Sequence, residues 1–260
     1  MIKNFRKNNI DLLFIFLSGV VLLFIASPII GLYFNSTLNG LIETTTDVEV
    51  QESIWLTLWT SMLGTIVFSF FAIPLAYLLA RKNFPLKNFV NGIIDLPIII
   101  PHTAAGIALL GILNRNTFIG KIAETFGLSF IGNSTGIILA MSFVSIPFLI
   151  NSARDGFLSV PERLEKVALT LGASKTKVFF SISLPLAWRS VLSGLILMWA
   201  RGMSEFGAVI IIAYNPKVTP ILIYERFTTY GLKYAVPVTV IFISISLMIF
   251  IFLKVIKKKN

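Results

Sequence analysis

The chain has 260 residues, 56% of them hydrophobic and only 13% charged, and its mean hydropathy is +0.87. A soluble domain carries about a quarter charged residues, so the composition excludes an ordinary soluble fold and points to an all-α integral membrane protein. The absence of cysteine and the single histidine exclude disulfides, thiolate metal sites, cysteine nucleophiles and multi-histidine metal clusters.

Residues 1–10 are basic and lead into an apolar run from Leu12 to Phe34. That run is too long for a signal peptide and has no A-x-A cleavage pattern, so it reads as a retained first span. Windows of about 20 apolar residues predict six transmembrane helices, at residues 11–34, 53–80, 89–113, 134–153, 187–214 and 232–253. Between the first two lies an acidic stretch with Glu43, Asp47, Glu49 and Glu52.

An even number of spans puts both termini on one side, and 16 of the 22 Lys and Arg then fall there. They are Lys3, Arg6, Lys7, Arg81, Lys82, Lys87, Arg154, Arg163, Lys166, Lys175, Lys177, Arg189, Lys254, Lys257, Lys258 and Lys259. Five (Arg115, Lys121, Lys217, Arg226 and Lys233) fall on the other side, and Arg201 lies inside the fifth span. Cytoplasmic loops carry the excess of Lys and Arg, so both termini are expected in the cytoplasm. The net charge of +10 is then a topology signal, and no nucleic-acid partner is expected. The chain divides into an N-terminal span with its acidic external loop (1–52), a transmembrane core (53–254) and a basic cytoplasmic tail (255–260).

In the third predicted span His102 follows Pro101, and Pro97 lies four residues before that proline. A kink or an unwound stretch is expected there. Thr103 and freed backbone groups would line a cavity, unless the prolines only bend a packed helix. Asp95 is expected to pair with a basic residue. In the fifth span Arg201 and Glu205 are four residues apart, hence on one helix face. Either they neutralise each other inside the bundle, or Arg201 faces an anion path. Gly202 and Gly207 flank Ser204 and permit close helix packing.

The loop 154–188 is the longest cytoplasmic connection, and it is patterned. Ser159-Val-Pro-Glu162 fits a capping box with proline in the first turn, predicting a helix from about Val160. Leu164, Val167, Ala168 and Leu171 form one apolar stripe, and Gly172 follows as a left-handed C-terminal cap. Ser174 caps a second short helix with Val178, Phe179 and Ile182 on one side, and Pro185 is expected to end it. Such a hairpin either lies in the lipid interface or docks a soluble partner through its small corner, Gly172–Ala173–Ser174.

At these residues the chain resembles the membrane subunit of an ABC importer, whose cytoplasmic loop reads EAA-x3-G-x9-I-x-L-P. The second half matches in full: Gly172, nine residues, Ile182, Ser183, Leu184 and Pro185. The first half departs, because the glutamate is Glu165, one place early, and Val167 and Ala168 take the alanine positions. The resemblance covers roughly residues 53–254 and implies a type I importer permease core with an extra N-terminal span.

It further implies a coupling loop, Glu165, Val167, Ala168, Gly172, Ala173, Ser174, Ile182, Leu184 and Pro185, seated on an ATPase subunit, with its wet face and corner on the ATPase and its apolar stripe on the spans. The stretches 96–110 and 200–227 are similar to molybdate/tungstate permeases, and sulfate permeases have related segments. The implied cargo is a tetrahedral oxyanion, and the path candidates are His102, Thr103, Arg201, Ser204 and Glu205.

There is no G-x-x-x-x-G-K-[ST] loop, so the chain is not expected to be an enzyme or to bind a cofactor. ATP and Mg would sit on two separate ATP-binding subunits. An external oxyanion-binding protein and a second copy of the chain complete the implied assembly in the cell membrane. An ion-coupled carrier would want more intramembrane carboxylates and histidines than Asp95, His102 and Glu205. A membrane hydrolase would want a nucleophile–base or metal constellation, which these residues do not supply.

Overall fold

The computed structural model describes residues 9–259, and among the described residues every regular element is a helix. In chain order these are α1 (Asn9–Phe34), α2 (Leu38–Thr46), α3 (Val48–Arg81), α4 (Lys87–Ile99), α5 (His102–Leu113), α6 (Phe118–Thr125) and α7 (Ser134–Ser159). After them come α8 (Glu162–Thr170), α9 (Lys175–Val178), a π turn (Phe179–Ser183), α10 (Leu184–Met203), α11 (Gly207–Ile212), α12 (Thr219–Tyr230) and α13 (Leu232–Lys259). Five stretches are long and apolar enough to cross a membrane: Ile10–Phe34, Val48–Arg81, Ser134–Ser159, Lys175–Met203 and Leu232–Val255.

Two predicted spans differ from the helices formed. The third is broken, and α4 and α5 meet at 113°. Pro97 stays inside α4, whereas Ile100, the residue before Pro101, is extended (ψ 146°), as the proline ring demands of its predecessor. The fifth predicted span, 187–214, also splits, because α10 stops at Met203 and the short α11 begins at Gly207. At its other end this span starts early: α9, the π turn and α10 run on from Lys175 without a stop at Pro185. Pro185 lies in the first turn of α10, and the Leu184 N–H bonds the Phe179 carbonyl five residues back. The wider turn accommodates a proline, which has no N–H to donate.

The central core joins α3, α7 and α10 through Ala76, Leu79, Leu149, Ala153, Phe157 and Met198. A Cβ on Gly64 would stand 2.4 Å from Ser142 Oγ, and one on Gly156 would stand 2.4 Å from Ser190 Cβ. Only glycine permits these approaches. A second cluster holds α5, α7 and α11 together through Ala105, Ile137, Ala140, Ala208, Val209 and Ile212. α1 stands largely apart, touching α13 through Tyr33 Oη and Ser244 Oγ at 2.8 Å.

At the end of the bundle opposite the patterned loop, Lys217 Nζ lies 2.9 Å from Glu49 and 2.6 Å from Glu225, and Arg226 lies 2.6 Å from Asp47. These bonds tie α12 and the preceding loop to the start of α3. Of the terminal cations counted above, Lys3, Arg6 and Lys7 lie outside the described residues. Lys257, Lys258 and Lys259 are described only as backbone of α13, which continues helically through most of the predicted tail.

Candidate functional site

The two helix breaks meet. His102 opens α5, Arg201 lies in the last turn of α10, and Glu205 sits in the gap before α11. Arg201 Nη2 donates to Glu205 Oε2 at 2.9 Å and lies 2.8 Å from His102 Nε2. His102 Nδ1 is 3.3 Å from the same carboxylate oxygen. Arg201 Nη2 is also 3.0 Å from His102 Nδ1, so both ring nitrogens stand beside the guanidinium.

Glu205 has no exposed side-chain surface, while Arg201 keeps 20% and His102 keeps 39%. The other carboxylate oxygen accepts the Ala208 N–H at 2.8 Å. Both oxygens of the anion are therefore turned into the protein, and the polar edge left at the break carries the guanidinium, the imidazole and the hydroxyls of Ser204 and Thr103. Ser204 and Thr103 are exposed beside it, and Arg201 Nη1 donates to Ser204 Oγ at 3.3 Å. The expected Arg201–Glu205 pair is formed. His102 as its third member has no sequence signal beyond being polar in a span, since it lies 99 residues away.

The packing that joins the breaks depends on glycine. A Cβ on Gly207 would lie 2.8 Å from His102 Cβ, and one on Gly106 would lie 2.9 Å from the Ala208 carbonyl. Asp95 departs from expectation, because its partner is the Asn151 amide at 2.7 Å and not a basic residue.

The patterned loop keeps its corner and reverses its faces. Gly172 is left-handed (φ +87°), and Ser174 Oγ accepts the Lys177 N–H at 3.2 Å, both as expected. The expected capping box is absent: Ser159 belongs to the last turn of α7, donating to the Gly156 carbonyl, and α8 begins only at Glu162. The apolar stripe was expected to pack on the spans. Instead Leu164 is 42%, Val167 51% and Leu171 82% exposed, and Glu165, 8% exposed, is the residue turned inward.

The cause is Arg81 at the end of α3, which bonds Glu165 Oε1 at 2.8 Å. Tyr77 Oη (3.1 Å) and Ser183 Oγ (2.8 Å) also donate to this carboxylate. A buried charge demands such partners more strongly than a nine-residue helix demands burial of its stripe. Burial alone would raise the Glu165 pKa, but the bonds from Arg81 and Ser183 and the Arg81 charge outweigh it and hold it below the ordinary 4.5. The outward stripe and the corner border a hollow of about 570 Å³ lined by Ala168, Leu171, Gly172, Ala173, Ser174 and Ile182. Leu184 is half-buried and Pro185 exposed just beyond it.

Residues 72–260 match the family of binding-protein-dependent transport system inner membrane components. The chain is 44% identical over 251 residues to a molybdate/tungstate transport system permease protein of Pyrococcus furiosus, covering 96% of each chain. To a probable sulfate transport system permease protein of Chlorokybus atmophyticus it is 30% identical over 208 residues, 78% of this chain and 73% of that one. It shares its fold with a bacterial ABC transporter that imports the acidic polysaccharide alginate, at 17% identity and a TM-score of 0.74 over 95% of both chains.

Proposed function

The chain belongs to the family of binding-protein-dependent transport system inner membrane components, and from that premise we propose that it is the permease subunit of an ATP-driven importer of molybdate and tungstate. The observation that carries this reading is the near full-length similarity, 44% over 96% of both chains, to a permease of that specificity. A sulfate importer is the weaker reading, because the sulfate relative is 30% identical over a shorter stretch. An ion-coupled carrier is disfavoured by the polar groups in the spans: Glu205 is neutralised by Arg201, and Asp95 is occupied by Asn151.

In this reading two copies of the chain assemble with two ATP-binding subunits and an external oxyanion-binding protein in the cell membrane, termini inside. The chain is not an enzyme and binds no cofactor, and ATP and Mg act on the partner subunits. The outward stripe of α8 and the Gly172–Ala173–Ser174 corner seat on the ATPase. This reverses the expected face: the apolar residues, not the wet ones, make the contact.

Molybdate and tungstate are tetrahedral dianions, and bare burial in hydrocarbon would cost tens of kcal/mol. The route therefore needs donors and a positive charge. At the edge formed by Arg201, His102, Thr103 and Ser204 the guanidinium supplies the charge, and it and the hydroxyls supply donors, with Glu205 held behind so that its own charge does not face the anion. Selectivity rests mainly with the external binding protein, which selects the anion first.

The test is reconstitution of the chain with its ATPase and binding protein in vesicles. Tungstate or molybdate accumulation that requires both ATP and the binding protein supports the reading. Accumulation driven by an ion gradient without ATP overturns it.

A further inference from the structure

Arg81 holds more than one partner. Besides the bond to Glu165 in α8, its Nη2 donates to the Val160 carbonyl at 2.9 Å, just past the end of α7. Glu165 in turn accepts from Ser183, the last residue of the π turn that leads into α10. Tyr77, one turn before Arg81 on α3, completes the set and stacks edge-on against Phe157 of α7 and Phe179 of the π turn, with ring centroids 5.3 and 5.0 Å away. Arg81 and Glu165 keep only 8% and 10% of their side-chain surface exposed, so the pair is shielded from water and salt.

The ends of the three helices that form the central core thus converge on one buried ion pair, and the hairpin is fastened to all three through it. The loop signature of importer permeases places its glutamate at 166. Here that position is Lys166, which is exposed and pairs with Glu162 at 3.2 Å. Glu165 lies about 100° around the helix from it and faces the spans.

We infer that Arg81 is a positioning residue for transport: with Glu165 it locks the Gly172 hairpin to α3, α7 and α10, so that a displacement of the hairpin reaches the spans as one rigid movement. This rests on the reading that the hairpin seats on the ATPase. The bonds set the direction of the effect. An element held by ion pair, hydroxyls and stacked rings at three helix ends cannot rotate alone, whereas one held by the π turn and the Val160–Pro161 link can swing and dissipate the ATPase stroke.

The test uses the whole transporter in vesicles, with tungstate uptake and phosphate release measured together and a cross-link from position 173 to the ATPase as control. In Arg81→Met and Glu165→Gln the cross-link is expected to persist, while tungstate moved per ATP falls about tenfold, in the usual range for a coupling interaction. Arg81→Lys keeps the charge with fewer donors and should recover part of that ratio. Ser183→Ala removes one hydrogen bond to the carboxylate while keeping both charges, and should lower the ratio by about fivefold, the effect of a net bond of about 1 kcal/mol.

If uptake falls only in proportion to the amount of folded protein and the ratio stays at the wild-type value in all four variants, the pair is structural and the inference is overturned. Failure of the wild-type chain to cross-link at 173 overturns instead the docking reading beneath it.

Discussion

Arg201 and Glu205 lie four residues apart across the end of α10 and touch at 2.9 Å, yet Glu205 is wholly buried while Arg201 keeps 20% of its side chain exposed. A cation presented at an edge with its counter-charge behind it can meet an incoming anion while it stays paired with the buried carboxylate. Truncating Arg201 to alanine removes that cation and leaves a buried carboxylate unpaired, a change that costs about 3–5 kcal/mol. Uptake by Arg201→Ala is expected to drop more than tenfold at equal abundance. The double variant Arg201→Ala/Glu205→Ala separates the two roles: stability should return while uptake stays low. Restored uptake in the double variant, measured in vesicles with abundance checked by immunoblot, removes Arg201 from the anion route.

Gly106 and Gly207 bring α5 and α11 into contact beside this pair. Alanine at either position forces backbone or Cβ atoms apart, an overpacking that costs about 1–3 kcal/mol. Gly111 is the internal control, since a Cβ there meets nothing within 4 Å. Thermal unfolding in detergent should place Gly106→Ala and Gly207→Ala below the wild-type chain. Gly111→Ala should match it or exceed it slightly, because helical glycine is about 0.5–1 kcal/mol worse than alanine.

Gly172 has open space around it but a φ of +87°, so a small side chain there meets strain and not a clash. Gly172→Ala should cost about 1–2 kcal/mol locally and leave ATP-driven uptake measurable. Gly172→Trp keeps the same strain and adds bulk at the corner, and should leave ATP hydrolysis running with little uptake. Equal coupling in the two variants, read as tungstate per phosphate released, would mean the corner is not in the interface.

The charged tie between α12 and the start of α3 sets a pH window. Burial would raise the Asp47 pKa, but the Arg226 bond and charge and its capping bonds lower it overall, while the bonds from Lys217 and Tyr214 lower that of Glu225. Their stabilisation is complete above the ordinary 3.8 and 4.5 and is lost as pH falls through the lowered values. Bonds to Glu225 and Glu49 raise the Lys217 pKa above 10.5, so its share is complete below that pH and is lost as pH rises through the raised value. The melting temperature should form a plateau between these limits. Lys217→Met should lower that plateau by about 2–4 °C and remove the alkaline fall assigned to Lys217. An unchanged pH profile would show that the tie contributes nothing.

The long spans were legible in the sequence because burial in lipid is a local demand, met residue by residue along about 20 apolar positions. The left-handed corner at Gly172 and the Ser174 cap were legible for the same reason: a turn and a cap are settled within four residues. Pro101 announced a break, though not its 113° angle. The Arg201–Glu205 pair was legible from the four-residue spacing, although α10 ends at Met203 and leaves Glu205 outside the helix.

What the sequence could not settle was which side of a short helix faces inward and which distant residues share a site. The stripe of α8 points outward because Arg81, 84 residues away, requires Glu165 inside. His102 joins Arg201 only because two broken spans meet, and α10 runs through Pro185 because a π turn absorbs the missing N–H. Each of these outcomes balances a local preference against a buried charge or backbone group whose partner lies far along the chain. Hydrogen bonds and ion pairs are short-ranged in space and blind to sequence distance, so only the folded arrangement decides them.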